Sequence, residues 1–460
     1  MLENRHPTKS AHTGCLQGGY QAWVCPKKEN IMSGNTESTP RHSGLTRRDF
    51  LGTTAVVSAA ATFTALSSTR VLGANERIGV GVIGTGGRGN SHLSVVRKIQ
   101  DEANVDVVAV CDVYRPRAQK AAEKYKVSQI YMDHHELLAD PKVDVVSIAT
   151  PDHIHGYQAL DAIAAGKDIY CEKPVTHWRQ FKLTKRLARE VENSDRVFQL
   201  GTQGMSDDAW ALMRQLVRDG LIGQPIHAEC GYFRVGDWGE RGMPIDDPNA
   251  QPGPDLNWKA FLGDSPKRRF DVSRFFRWRM YEDYAGGPVT DLFPHSLTPV
   301  VSILGVDMPT SVVASGGKFR YQEREVPDSF NMLISYPEKV TVAVLGTQGN
   351  NYCATGSRGS GSRIPVVQGW EGTVTVQGNE VVFTPAEGSK KEAKQFPIER
   401  KEDFARFWIT FFDCCRKRQK DTVSTMSLAY AVQTALQMGM LAYREEGVAR
   451  FDAKKESIRV

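Results

Sequence analysis

The sequence predicts an α/β fold: a doubly wound parallel sheet over residues 75–203, followed by an α+β domain over residues 204–460. Three observations carry this. A glycine-rich turn, Gly84-Thr85-Gly86-Gly87-Arg88-Gly89, follows an apolar strand and opens a helical stretch. An acidic residue, Asp112, closes the next apolar strand. Apolar runs and helical segments then alternate, the pattern of a sheet with helices on both faces.

In chain order, residues 1–74 read as a leader. They hold eight Lys/Arg against four acids, +4 of the chain's formal +5, so the remainder is close to neutral. A near-neutral body lacks the basic face that neutralises phosphates, which excludes nucleic-acid binding. Thr46-Arg47-Arg48-Asp49-Phe50-Leu51 opens a run without charge from Phe50 to Thr69, rich in Ala, Ser and Thr. This resembles a twin-arginine (Tat) signal peptide. The expected location is periplasmic or otherwise extracytoplasmic, with the Tat translocon as a transient partner. The run is too diluted by hydroxyl residues for a stable membrane span after processing. The eight cysteines include no C-x-x-C spacing, and Cys111 and Cys171 fall in apolar strands, so core thiols are expected and no metal site.

Arg77–Gly84 reads as a buried strand running into a full G-x-G-x-x-G. There Gly84 permits the tight turn, Gly86 lets the backbone approach a pyrophosphate, and Gly89 allows close helix–strand packing, with Gly87 and Arg88 as further candidate cofactor contacts. Asp112 ends the strand Val105–Cys111 at the spacing of a carboxylate that receives ribose hydroxyls. A Rossmann domain binding NAD follows. Arg115 and Arg117 leave NADP open, because an arginine here accommodates a 2′-phosphate. Further strands are read at Gln129–Tyr131, Val143–Thr150, Asp168–Cys171 and Val197–Leu200, separated by helices near 114–126, 154–165 and 177–193.

Two strand ends carry Thr150-Pro151-Asp152-His153-Ile154-His155 and Glu172-Lys173-Pro174, and a later stretch reads Gly286-Gly287-Pro288-Val289-Thr290-Asp291-Leu292-Phe293-Pro294-His295. With Ala165-Gly166-Lys167 between the first two, the chain resembles the Gfo/Idh/MocA oxidoreductases, whose pattern is T-P-N-x-x-H, A-G-K, E-K-P and glycines before D-x-x-x-H. The resemblance implies cofactor contacts from Thr150, Pro151, His155, Glu172 and Lys173. It implies Lys173 as donor to the reacting oxygen and Pro174 in a cis peptide. His295 becomes the candidate general base, with Asp291 orienting it or binding substrate, although Pro294 and Pro299 put that helical geometry in question. His153 and His155 form an H-x-H without neighbouring carboxylates, weak grounds for a metal. Trp278, inside Arg274-Phe275-Phe276-Arg277-Trp278-Arg279, and Tyr284 are candidates for substrate contact.

The second half reads as a helix near 207–219, strands at Pro225–Arg234, Ser311–Ser315, Asn331–Tyr336, Thr341–Gly346 and Thr373–Gln377, and helices at Phe404–Arg418 and Met426–Glu445. Gly349–Gly369 reads as an irregular loop. The resemblance implies an open, mostly antiparallel sheet here that covers the nicotinamide and supports a homo-oligomer. The function expected is an exported NAD(P)-dependent oxidoreductase acting on a sugar or cyclic polyol. Export of a folded protein favours a tightly bound cofactor. A redox-neutral alternative follows, in which oxidation, elimination and re-reduction modify or cleave a glycoside. A non-catalytic sugar or dinucleotide sensor is the third reading.

Overall fold

The computed structural model describes residues 77–235, 243–359 and 361–460, so the leader lies outside the described residues. The first sheet has six parallel strands in the order β3-β2-β1-β4-β5-β6. They are β1 (Ile78–Ile83), β2 (Val105–Cys111), β3 (Gln129–Tyr131), β4 (Val145–Ile148), β5 (Asp168–Cys171) and β6 (Phe198–Leu200). β1, β4 and β5 are buried at each residue, as strands covered on both faces must be. β1 pairs with both β2 and β4, so the strand order reverses there. A ligand binds at such a reversal, beyond the strands' C-terminal ends. The helices after β4 and β5 begin at Asp152 and Phe181, moved from the positions read in the sequence.

The second sheet follows the path β17-β16-β15-β14-β7-β10-β9-β8-β18-β19, its outer strands being β15 (Gly372–Gln377), β16 (Glu380–Pro385) and β17 (Lys394–Pro397) at one end and β18 (Ala449–Asp452) and β19 (Ser457–Arg459) at the other. Its centre is β7 (Pro225–Val235), flanked by β10 (Thr341–Thr347) in parallel and β14 (Val366–Gly369) antiparallel. β9 (Ser329–Ser335) and β8 (Ser311–Gly317) continue it antiparallel. The stretch Gly349–Gly369 is not an irregular loop. It contributes three two-residue strands and β14, and three of these four pair with β7. The reason is non-local: an eleven-residue strand offers main-chain donors and acceptors that this glycine-rich stretch satisfies.

Packing crosses the boundary near residue 203. The helix Phe404–Lys417 lies on the first sheet, where Trp408 stacks on Tyr170 with ring centroids 3.9 Å apart. Phe407, Phe411 and Phe412 join Val80 and Val107 in the same apolar cluster. The helix Met426–Arg444 braces the loop after β5: Gln433 Nε2 donates to the Thr176 carbonyl at 2.8 Å and Gln437 Nε2 to the His177 carbonyl at 3.0 Å. Among the described residues, no helix is long and apolar enough to cross a membrane.

Candidate active site at the strand reversal

The glycine turn divides into glycines that pack and glycines that stay open. Gly84 has φ +87°, and a Cβ there would meet the Ala149 carbonyl oxygen at 2.7 Å; at Gly89 it would lie 1.8 Å from the Gly84 oxygen. At Gly86 a Cβ would meet only the Arg117 guanidinium, at 3.6 Å, and at Gly87 nothing within 4 Å. The helix Gly87–Lys98 begins there without a side-chain cap, so side chains leave its first amides to another acceptor. Open backbone and unspent donors suit a pyrophosphate. Asp112 stands beside the turn: Oδ2 accepts from Thr85 N at 2.8 Å and Thr85 Oγ1 at 3.0 Å, and Oδ1 from Tyr114 N at 2.9 Å. A carboxylate has about four acceptor positions, so Oδ1 keeps one for a ribose hydroxyl.

Several residues expected at the cofactor also brace the strand ends through hydrogen bonds of their own. Glu172 Oε1 accepts from Arg88 Nε at 2.6 Å and pairs with His92 Nε2 at 3.0 Å. Burial would raise the Glu172 carboxyl, but Arg88 and His92 outweigh it and hold it well below the carboxylate range. Its charge is therefore spent tying the glycine-turn helix to the end of β5, next in the chain to Lys173. Arg88 also donates to Gln203 Oε1 at 3.1 Å, so its guanidinium is held by Glu172 and Gln203. His155 lies between two carbonyls, Thr150 at Nε2 and Pro174 at Nδ1, each at 2.7 Å, and its single N–H donates to one of them, at the ends of β4 and β5. Thr150 Oγ1 donates to Gln158 Oε1 at 2.6 Å, and Pro151 precedes the helix Asp152–Ala164. The Lys173–Pro174 peptide is cis.

Lys173 is the centre of a charge cluster. Its Nζ donates to the Asp291 main-chain oxygen at 2.6 Å and to Asp291 Oδ1 at 3.0 Å. Arg279 Nε lies 3.3 Å from Oδ1, and Arg234 Nη2 lies 3.4 Å from Oδ2. Burial would raise the Asp291 carboxyl, but Lys173, Arg279 and Arg234 together hold it far below its ordinary value. Asp291 thus meets Lys173, Arg279 and Arg234, while His295 Nδ1 has no hydrogen-bond partner. The chain breaks at Leu292 between two helices, Pro288–Asp291 and Phe293–Leu304, with Pro294 in the first turn of the second, where a missing N–H costs nothing. Gly287 makes the entry possible: its φ is +65°, and a Cβ would meet the Pro327 carbonyl oxygen at 2.4 Å.

His295 Nδ1 is buried without a hydrogen-bond partner. Burial and the nearby Lys173 charge lower its imidazole to about 3, so the ring is neutral. Trp278 and Tyr284 are corrected. They are 6% and 0% exposed inside an aromatic cluster, and rings sealed from water offer a sugar no face. His153 belongs there too, its ring 4.9 Å from Tyr284 and its Nε2 2.7 Å from the Phe261 carbonyl oxygen.

Three residues of the cluster escape a reading of single motifs: Arg234, Arg279 and Asp152. Arg279 closes the mixed aromatic–basic run, and Asp152 stands where the family pattern has asparagine, which was the available signal. Asp152 is 3% exposed and hydrogen-bonded to Thr290. Burial lifts its carboxyl to about 7 against the pull of Arg279 and Lys173. Because the folded value lies above the unfolded one, its protonation stabilises the fold at low pH, and that contribution is lost as pH rises through about 7. Asp152→Asn should flatten the turnover profile between about pH 6 and 8 and gain on the order of 2 kcal/mol of stability above that window. Urea denaturation and rate measurements across pH check both; an unchanged profile would remove Asp152 from the working charge set.

Comparison with known proteins agrees with this architecture. Residues 78–202 match the Gfo/Idh/MocA oxidoreductase family, NAD-binding Rossmann fold, and residues 208–459 match its C-terminal alpha/beta domain. The chain is similar to inositol 2-dehydrogenase of Salmonella typhimurium, 27% identical over 237 residues, 51% of this chain and 64% of that protein. It is also similar to inositol 2-dehydrogenase/D-chiro-inositol 3-dehydrogenase of Lactiplantibacillus plantarum, 33% identical over 160 residues, 34% of this chain and 43% of that one. Both matches span less than two thirds of the relative's length. Levoglucosan dehydrogenase in complex with NADH superposes with a TM-score of 0.61 at 17% identity, covering 81% of this chain and 98% of that one. Its complex with NADH and levoglucosan gives 0.61 at 17%, covering 82% and 99%. At such identity the likeness speaks for the fold.

Proposed function

Because the chain belongs to the Gfo/Idh/MocA family of NAD-binding oxidoreductases, we propose that it oxidises a hydroxyl of a sugar or cyclic polyol by hydride transfer to NAD. The observation that carries this is the Lys173–Asp291 pair, next in the chain to Glu172, which ties the glycine-turn helix to β5. The glycine turn and Asp112 would hold the dinucleotide, which when bound supplies the hydride acceptor. Lys173, oriented by the Asp291 carboxylate and main-chain oxygen, would donate to the reacting oxygen and stabilise negative charge as it develops. His295, whose Nδ1 is buried without a hydrogen-bond partner, would accept the hydroxyl proton. Asp152 would set the charge around both.

The relatives named for inositol and levoglucosan support cyclic polyols and anhydrosugars as the first substrates to try. Purified protein given NAD and a panel of such compounds should form NADH and a product lighter by two hydrogens. Free reducing sugar released from a glycoside without NADH would instead select the redox-neutral chemistry. The twin-arginine stretch, outside the described residues, supports export; reporter fusion in a strain lacking the Tat translocon tests it. Val313 and Leu333, cross-strand neighbours each 42% exposed, put apolar surface on the second sheet and support a homo-oligomer.

A further inference from the structure

Directly after Asp112, the chain is gripped by a distant segment. Asn257 N donates to the Val113 carbonyl at 2.9 Å, Tyr114 forms an antiparallel bridge with Leu256, and Arg115 N donates to the Asp255 carbonyl at 2.9 Å. Side chains repeat the contact: Arg115 Nε donates to Asp255 Oδ1 at 2.9 Å and Arg117 Nε to Asp246 Oδ2 at 2.5 Å. Apolar packing fixes the segment, with Tyr114, Leu256, Trp258, Phe261, Phe275 and Phe276 in one cluster, and the Arg117 guanidinium 5.0 Å from the Phe276 ring centre.

This is the place where a dinucleotide fold reads the ribose 2′ position, through an acid for a hydroxyl or an arginine for a phosphate. Arg115 and Arg117 are the arginines in reach. The Arg117 guanidinium comes within 3.6 Å of the position a Cβ would take on Gly86. Both spend their charge on carboxylates of the gripping segment. Asp246, Asp247 and Asp255 all lie near enough to raise the Tyr114 hydroxyl, after burial, and Asp112 accepts from Tyr114 N, so four carboxylates share the surroundings of Tyr114 with two guanidiniums. A 2′-phosphate would have to displace an existing ion pair and enter a field of net negative charge; a 2′-hydroxyl meets neither obstacle.

We infer that Asp246 and Asp255 are specificity-determining residues: by holding Arg117 and Arg115 they make the chain select NAD over NADP. The inference rests on reading the glycine turn as a dinucleotide site. Calorimetric titration of the purified full-length protein with NAD and with NADP tests it. Wild type should prefer NAD by about tenfold or more, the scale of one charged hydrogen bond. D246N/D255N should narrow that preference by about tenfold while NAD affinity stays nearly constant. Adding R115A/R117A should cancel the gain. An unchanged preference in D246N/D255N, or a gain that survives loss of both arginines, would overturn the assignment while leaving the dinucleotide reading intact. A wild type that binds neither nucleotide would overturn both. Unchanged NAD affinity in D246N/D255N reports that the segment still folds.

Discussion

Replacing Lys173 with alanine is expected to lower kcat/KM about 10³-fold while leaving NAD affinity and folding nearly untouched. Loss of the ammonium removes the donor that meets developing charge on the reacting oxygen. It does not strand Asp291, which keeps Arg279 at 3.3 Å and Arg234 at 3.4 Å. Nor does it loosen the glycine turn, which Glu172 ties to β5 through Arg88 and His92. Lys173→Arg should not rescue the rate, because a planar fork cannot occupy the point where a compact ammonium meets both the main-chain and side-chain oxygens of Asp291. Steady-state rates, NAD titration and melting together decide it. Full turnover by Lys173→Ala would reject the proposed mechanism, and lost NAD binding would make Lys173 a cofactor residue only.

Asp291→Ala is expected to act on stability first. The side chain is 13% exposed and stands against three cations, of which Lys173 is 9% exposed and Arg234 and Arg279 are 22% exposed. Removing it leaves positive charges facing one another with little water, a change that costs about 3–5 kcal/mol when a buried pair loses one partner. Part of that is screened on the arginine side, so the lower end of the range is expected. Asp291→Asn keeps a hydrogen-bond acceptor and the main-chain contact to Lys173 at 2.6 Å, and should lose less stability but still lose rate. The pH dependence has a definite sign. The folded Asp291 carboxyl lies below its unfolded value, so its contribution is present above about pH 4 and is lost as pH falls. The gap between wild type and Asp291→Ala should therefore be full at neutral pH and shrink in acid. Urea denaturation at several pH values measures it; a gap that does not vary with pH would mean the lost stability is packing, not charge.

How far the site was legible depends on the kind of information each residue carries. Gly84, Gly89 and Asp112 declare themselves because local geometry restricts them: a φ of +87° or a Cβ 1.8 Å from a carbonyl oxygen admits only glycine. Lys173 and Asp291 were visible as motif positions, but 118 residues separate them, and only the fold shows that one anchors the other. The spacing of Asp291 and His295 does not translate into one helix face, because a new helix begins at Phe293, with Pro294 in its first turn. Trp278 and Tyr284 were misread because an aromatic at a binding wall and one in a core have the same chemistry, and burial alone separates them.

The Rossmann half is legible residue by residue, since strand, turn and helix there are set by apolar periodicity and glycine sterics within a few residues. Tertiary structure decided the rest. It brought Arg234, Arg279 and Asp152 to Lys173, set Trp408 against Tyr170, and closed residues 243–262 over Arg115 and Arg117. The physical reason is that electrostatic and packing energies depend on distance in space, and the separation of residues along the chain carries almost none of that distance.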